Sequence, residues 1–275
     1  MDVFAATACV SILYSKLNIK KIIKPPLPPP AAVSTVSATV SAGLAICVEE
    51  ATPFLIVSGF GPFNGIKYNP TTKLIGLLRE FGSSLSSLSP SSLMKRELLC
   101  ASYYPVEMFC VVDTSIEGVE RFHDMCKGLQ NNRSNSLLVH LGVSGASSSI
   151  HLEQFAYNNA TFRVPDEAGA MPSGEKINKE RAFDEPAPTP IDLAKVCVVL
   201  NHAFPSSVEG GIDKPKVALS QDPGRFFFNY INYRSLQHFK NVVFIHVPPF
   251  EVICEQEQLA IVRRAVIELS LACRS

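Results

Sequence analysis

Neither charge sign is in excess in this 275-residue chain: 25 Lys and Arg face 25 Asp and Glu. A protein working mainly on nucleic acid or on an anionic membrane surface carries a basic excess, so neither partner is expected. The eight cysteines (Cys9, Cys47, Cys100, Cys110, Cys126, Cys197, Cys254, Cys273) include no Cys-x-x-Cys pair, which argues against a zinc ribbon. They are also too sparse for a disulfide scaffold, so buried free thiols in a reducing compartment are the expectation. Residues 3–48 lack any acid and any arginine, and carry only Lys16, Lys20, Lys21 and Lys24. No positive cluster precedes the apolar Val3–Tyr14 stretch, which fits a secretory signal poorly. The serine content and missing acids suit an organelle presequence; the missing arginine does not. Ala31–Val48 is uncharged but too weakly hydrophobic for a membrane span. Residues 1–50, with the run Pro25-Pro26-Leu27-Pro28-Pro29-Pro30, therefore read as a mobile low-complexity extension.

Residues 51–275 have what the extension lacks. The chain is 47% hydrophobic and 18% charged, enough to bury a sizeable core. Phe54–Val57 reads as a strand buried on both faces, followed by the loop Gly59–Gly65. A helix opens at Asn69-Pro70, with Asn as N-cap, Pro at the first position, and Leu74, Leu77, Leu78 and Phe81 as its stripe. Ser83–Ser92 reads as a loop and Glu97–Tyr104 as a strand. Ile116, Val119, Phe122 and Cys126 mark a helix, and Leu137–Leu141 a strand. Pro165–Pro190 reads as a long loop, of the kind that is functional or disordered. Helices over Ile191–Leu200, Phe226–Phe239 and Gln256–Cys273 alternate with strands over Lys216–Ser220 and Val242–Val247. This alternation predicts a three-layer α/β/α sandwich with a mostly parallel central sheet. Ligands in such sheets bind beyond the strands' carboxyl ends, which directs attention to segments 59–65, 142–149, 221–225 and 247–250.

Each segment offers particular chemistry. Gly59-Phe60-Gly61-Pro62-Phe63 has neither the Lys-Ser/Thr of a phosphate loop nor the third glycine of a dinucleotide fingerprint. Phe60 and Phe63 either pack in the core or wall a small apolar pocket. Glu153, taken alone, is an ordinary surface glutamate. His246, one residue from the end of the most hydrophobic strand, is either a satisfied core histidine or a general base at the sheet's edge. Ser220-Gln221-Asp222-Pro223-Gly224-Arg225-Phe226-Phe227-Phe228-Asn229 runs from strand through turn to helix. A helix start there suits an anion, yet it offers three phenylalanines.

Taken in order, these motifs, with Asn69-Pro70, Val139-His140-Leu141-Gly142, Glu153 with Asn158, and His246-Val247-Pro248, resemble the pyroglutamyl peptidase I (pyrrolidone-carboxylate peptidase) family from about Phe54 to Cys273. The resemblance implies a cytosolic, cofactor-free cysteine exopeptidase that removes N-terminal pyroglutamate from peptides through a Cys-His-Glu triad. It makes His246 the base and Glu153 its orienting carboxylate. It assigns Phe60, Phe63, Asn69 and Arg163 to the substrate side and holds no metal. Homo-oligomerisation stays open.

One position departs from that pattern. The family places its nucleophilic cysteine three residues after the arginine of the glycine turn, where this chain has Phe228 before Asn229. A benzyl group has no nucleophilic atom. Pro223 also replaces the alanine usual in that turn. Of the remaining cysteines, Cys254 is nearest to His246 in sequence, but attack demands hydrogen-bond reach. Three readings follow: an inactive or impaired homologue, an active peptidase whose codon 228 hides a one-base error, or a protein that binds pyroglutamyl-capped peptides. The proline run could engage an SH3 or WW domain, although it lacks a flanking arginine.

Overall fold

The computed structural model describes residues 54–63, 68–85, 106–126, 136–209 and 212–273. The N-terminal extension and the strand expected at 97–104 lie outside the described residues. The elements in chain order are β1 (Phe54–Phe60), α1 (Pro70–Leu85), β2 (Val106–Val112), α2 (Ile116–Cys126), β3 (Leu137–Val143), β4 (Ile150–Glu153), β5 (Phe155–Tyr157), β6 (Pro186–Pro188), α3 (Leu193–Ala203), β7 (Ser207–Glu209), β8 (Ile212–Lys214), β9 (Val217–Ser220), α4 (Phe227–His238), β10 (Val242–Val247) and α5 (Glu255–Ala272). The central sheet has the order β2-β1-β3-β10-β4-β9.

Four of these strands are parallel, and the reversal of the other two follows from connection length. Only residues 144–149 separate β3 from β4, too few for a helical crossover. β4 therefore returns against β10, pairing His246 with His151 and Phe244 with Glu153. β9 runs parallel to β4, and hence against β10. The mostly parallel α/β/α architecture stands, with two reversed strands at one edge.

Alternation along the strands divides the core in two. Leu55, Val57, Val139 and Leu141 face α1, α3 and α5 through Leu74, Leu200 and Ile261. Phe54, Ile56, Leu138 and Phe244 face α2 and α4 through Val119, Phe122 and Ile231. Each fully buried side chain of this size contributes roughly 1.5–3 kcal/mol by leaving water.

Some expected elements differ. β1 runs through Gly59 and Phe60, because Phe60 is wholly buried in the second cluster rather than carried on a loop. α1 continues through Ser83 and Ser84 to Leu85, since serine costs a packed helix only about 0.5 kcal/mol and does not break it. β2, β4 and β5 were not expected; β4 and β5 are too short for periodicity to reveal. The segment 165–190 holds the short strand β6, and polar anchors fix it. Asn158 donates to Asn178 O and Ala182 O at 2.9 and 2.8 Å, and the buried Asp166 accepts from the amides of Ile116, Ala168 and Ala170.

A polar chain crosses the second face. Ser58 Oγ lies 2.6 Å from His140 Nδ1, and Ser235 Oγ lies 2.9 Å from both His140 Nε2 and His123 Nε2. All four side chains are buried. His123 meets His238 and Arg234 from α4, and Glu120 and Asp124 from its own helix. Burial, reinforced by the two cationic neighbours, pushes His123 down to about 4; burial and His123 push His140 down to about 3. Above pH 6.5 both rings are neutral whether the chain is folded or not, so their contribution is fully present. As pH falls below 6.5 the unfolded chain binds protons that the folded chain refuses, and stability is lost, at a limit of about 2.7 kcal/mol per pH unit for two protons. Urea unfolding from pH 8 to 4 should show this slope, with His140→Gln removing about half of it. An unchanged slope in that variant would show that the buried ring titrates normally.

Candidate active site

The even-numbered residues of β10 face α2 and α4, and His246 is the last of them before the strand ends. Antiparallel pairing brings the carboxylate of Glu153 alongside: His246 Nδ1 lies 2.7 Å from Glu153 Oε1, with both residues buried. A carboxylate there favours the tautomer whose proton sits on Nδ1, leaving Nε2 as the basic nitrogen. Glu153 Oε2 is buried and has no hydrogen-bond partner among the described residues.

The third position of the constellation comes from the start of α4. Phe228 lies with its ring centroid 5.4 Å from that of His246 in an edge-to-face arrangement. It also packs on Phe60 at 5.0 Å and Phe244 at 5.6 Å. Gly142 makes this fit: a Cβ there would stand 2.6 Å from Phe244 Cζ and 3.2 Å from Phe228 Cδ1. The benzyl group thus joins the aromatic core to the catalytic histidine's expected place, and it brings no reactive atom there.

These residues open into a cleft of about 540 Å³, lined among others by Ser144, Arg163, Arg225, Phe226, Phe228 and His246. His151 lines it too. Its ring lies on the same side of β4 as Glu153, and burial holds its pKa below the usual histidine value, aided by His246 and opposed by Glu153. Arg225 ties the cleft wall to the long loop. Its Nε donates to Asp184 Oδ1 at 2.5 Å, Nη1 donates to Asp222 Oδ1 at 2.7 Å, and the guanidinium lies 3.7 Å over the Tyr157 ring. Asp184 adopts a left-handed φ of 58°, a conformation a non-glycine residue holds only when its surroundings fix it.

No described cysteine supplies the missing thiol. Cys110, Cys126, Cys197, Cys254 and Cys273 are all absent from the cleft lining. Burial pushes Cys110 up to about 12 and raises Cys126 and Cys197, which disfavours the thiolate. Cys254 is exposed at the start of α5.

The expected site residues thus separate. His246, Glu153, Phe228 and Arg163 meet in the cleft. Phe60 does not line it, being wholly buried behind Phe228. Phe63 is half-buried against Phe226, 5.3 Å away, one layer behind the wall. Asn69 caps α1 and is absent from the cleft lining: its Oδ1 accepts from the Thr71 amide and its Nδ2 donates to Gly61 O, both at 3.0 Å. Of the four segments beyond strand ends, 142–149 and 221–225 reach the cleft. The 221–225 segment follows the reversed strand β9, so it arrives from the opposite strand direction. His151 and the Arg225 clasp were missed. The alternation of His151-Leu152-Glu153 was the available signal for the first, and nothing local signalled the second.

Among the described residues, no cluster of three or more His, Cys, Asp or Glu could hold a metal ion. No family model matches the chain. It is, however, 27% identical over 222 residues to human pyroglutamyl-peptidase 1, covering 80% of this chain and 91% of the human protein. It is 24% identical to the pyrrolidone-carboxylate peptidase of Yersinia pestis (strain Pestoides F), over 70% of this chain and 77% of that one. The fold agrees. Pyrrolidone carboxyl peptidase from Thermococcus litoralis superposes with a TM-score of 0.58 at 17% identity, over 80% of this chain and 93% of that one. Bacillus amyloliquefaciens pyroglutamyl peptidase I gives 0.57 at 18%, over 80% and 97%.

The chain is a pyroglutamyl peptidase I homologue.

In this homologue Gly142 and Phe228 are coupled by space. Gly142→Ala should lower unfolding stability by about 1–3 kcal/mol through overpacking. The loss should shrink in a Phe228→Ala background, because one of the two clashing rings is gone. Thermal denaturation of the two single variants and the double variant checks this, and strictly additive losses would show that the ring does not press on residue 142.

Proposed function

We propose that this homologue binds peptides bearing an N-terminal pyroglutamate in the cleft beside His246 and does not cleave them. The observation that carries this reading is the contact between Phe228 and the His246–Glu153 pair. Acyl transfer needs a nucleophilic atom within hydrogen-bond reach of its base. Here the base and its orienting carboxylate are assembled, and the group against them is a hydrocarbon ring. Loss of a nucleophile from a catalytic triad costs on the order of 10⁶ in rate.

Binding has support independent of catalysis. A pyrrolidone ring is flat and neutral, so it is held by apolar and aromatic walls with a few hydrogen bonds rather than by an ion pair. The cleft offers the rings of Phe226 and Phe228 and, at the start of α4, a helix end without a side-chain cap. Amides there suit a carbonyl oxygen. The relatives named for pyroglutamyl hydrolysis support this ligand class.

A fluorogenic pyroglutamyl amide should be turned over by the purified chain no faster than by buffer. Phe228→Cys should create activity that iodoacetamide abolishes. The variant loses ring packing worth roughly 3 kcal/mol, so circular dichroism must first show that it is folded. Robust turnover by the unsubstituted chain, blocked by alkylation, would overturn the proposal.

A further inference from the structure

The two arginines lining the cleft are in opposite states. Arg225 is heavily engaged, with four of its five N–H donors bonded: Asp184 takes Nε and Nη2, Asp222 and Gly224 O take Nη1, and Tyr157 covers one face. Arg163 is exposed, and it forms no hydrogen bond or ion pair among the described residues. Of the carboxylates lining the cleft, Glu153 is buried against His246 and Asp222 engages Arg225 through Oδ1, and neither contacts Arg163.

The Arg163 guanidinium is free, but its backbone is fixed. On one side Phe162 is buried with its ring 4.9 Å from Phe226, and its amide donates to Pro172 O at 2.8 Å. The Thr161 amide donates to Arg225 O at 2.8 Å. On the other side the Asp166 carboxylate gathers three backbone amides. A cation is thereby held at the cleft with no protein partner for its donors among the described residues.

We infer that Arg163 makes the cleft selective for pyroglutamyl peptides carrying a carboxylate on the residue that follows the lactam. This rests on the binding proposed above. The lactam itself is neutral and cannot discriminate by charge, so selectivity falls to what lies beyond it. A guanidinium fork matches a planar carboxylate in two parallel hydrogen bonds, a geometry lysine or glutamine cannot supply. Because Arg163 is exposed, the preference is of the size measured for exposed pairs, up to roughly fivefold, and is screened by salt.

The test is calorimetric titration of the full chain with C-terminally amidated peptides: pyroglutamyl-Glu-Ala, pyroglutamyl-Gln-Ala and pyroglutamyl-Lys-Ala. Pyroglutamyl-Ala, as free acid and as amide, distinguishes a side-chain carboxylate from a terminal one. The glutamate peptide should bind about three- to fivefold tighter than the glutamine peptide in low salt, with the lysine peptide weakest. The glutamate-to-glutamine ratio should fall to about one in 0.5 M NaCl and in Arg163→Gln. Equal affinity for all amidated peptides would overturn the role of Arg163 while leaving lactam binding intact. A preference that survives Arg163→Gln, or one confined to the free-acid dipeptide, would overturn the assignment to the following side chain. No binding by any peptide would overturn both this inference and the function on which it rests.

Discussion

A strand that turns back after six residues decides where the chemistry of this protein sits. Because residues 144–149 are too few to carry a crossover helix, β4 must run against β10, and this pairing sets Glu153 opposite Phe244 and His151 opposite His246. A carboxylate then reaches the imidazole at 2.7 Å, with both residues largely buried at the base of the cleft. A buried polar group is tolerated only when it is hydrogen-bonded, so the two side chains are held together by the cost of separating them. The cleft, the helix start at Phe227 and the clasp from Arg225 to Asp184 are arranged around that fixed point.

The residue facing the pair determines what it can do. Phe228 belongs to two environments at once: it packs on Phe60 and Phe244 of the core, and its ring abuts His246 in the cleft. The core side is stabilising and the cleft side is inert. A rate deficit on the order of 10⁶ corresponds to about 8 kcal/mol of transition-state stabilisation, which no rearrangement of the remaining hydrogen bonds replaces. The walls that hold a neutral ring depend on shape and apolar area, which a phenylalanine increases. In the proposed function recognition and cleavage separate, the first resting on the cleft as a whole and the second on one atom.

Long periodic segments were legible in the sequence. The helix at Pro70, the strands at Phe54, Leu137 and Val242, and the last helix fall within a few residues of expectation, because burial on one face or both imposes a regular apolar pattern. His246, Glu153 and Phe228, singled out by the order of their motifs, lie together at one cleft. What could not be read was set by distance in space. Phe60 looked like a loop aromatic because two glycines flank it, yet β1 runs through them and buries the ring. Asn69 was assigned both to capping and to substrate; its geometry is that of the cap. The fixation of 165–190 depends on Asn158, Asp166 and Arg225, which lie outside the loop or grip it through backbone groups, so composition alone indicates a long loop without showing what fixes it.

The most direct test of the central claim is equilibrium dialysis of the full chain against an isotopically labelled pyroglutamyl peptide, with the retained peptide analysed by mass spectrometry. The account predicts saturable retention of a peptide recovered intact, with its lactam still in place. Accumulation of free labelled pyroglutamate in excess of the protein would contradict it.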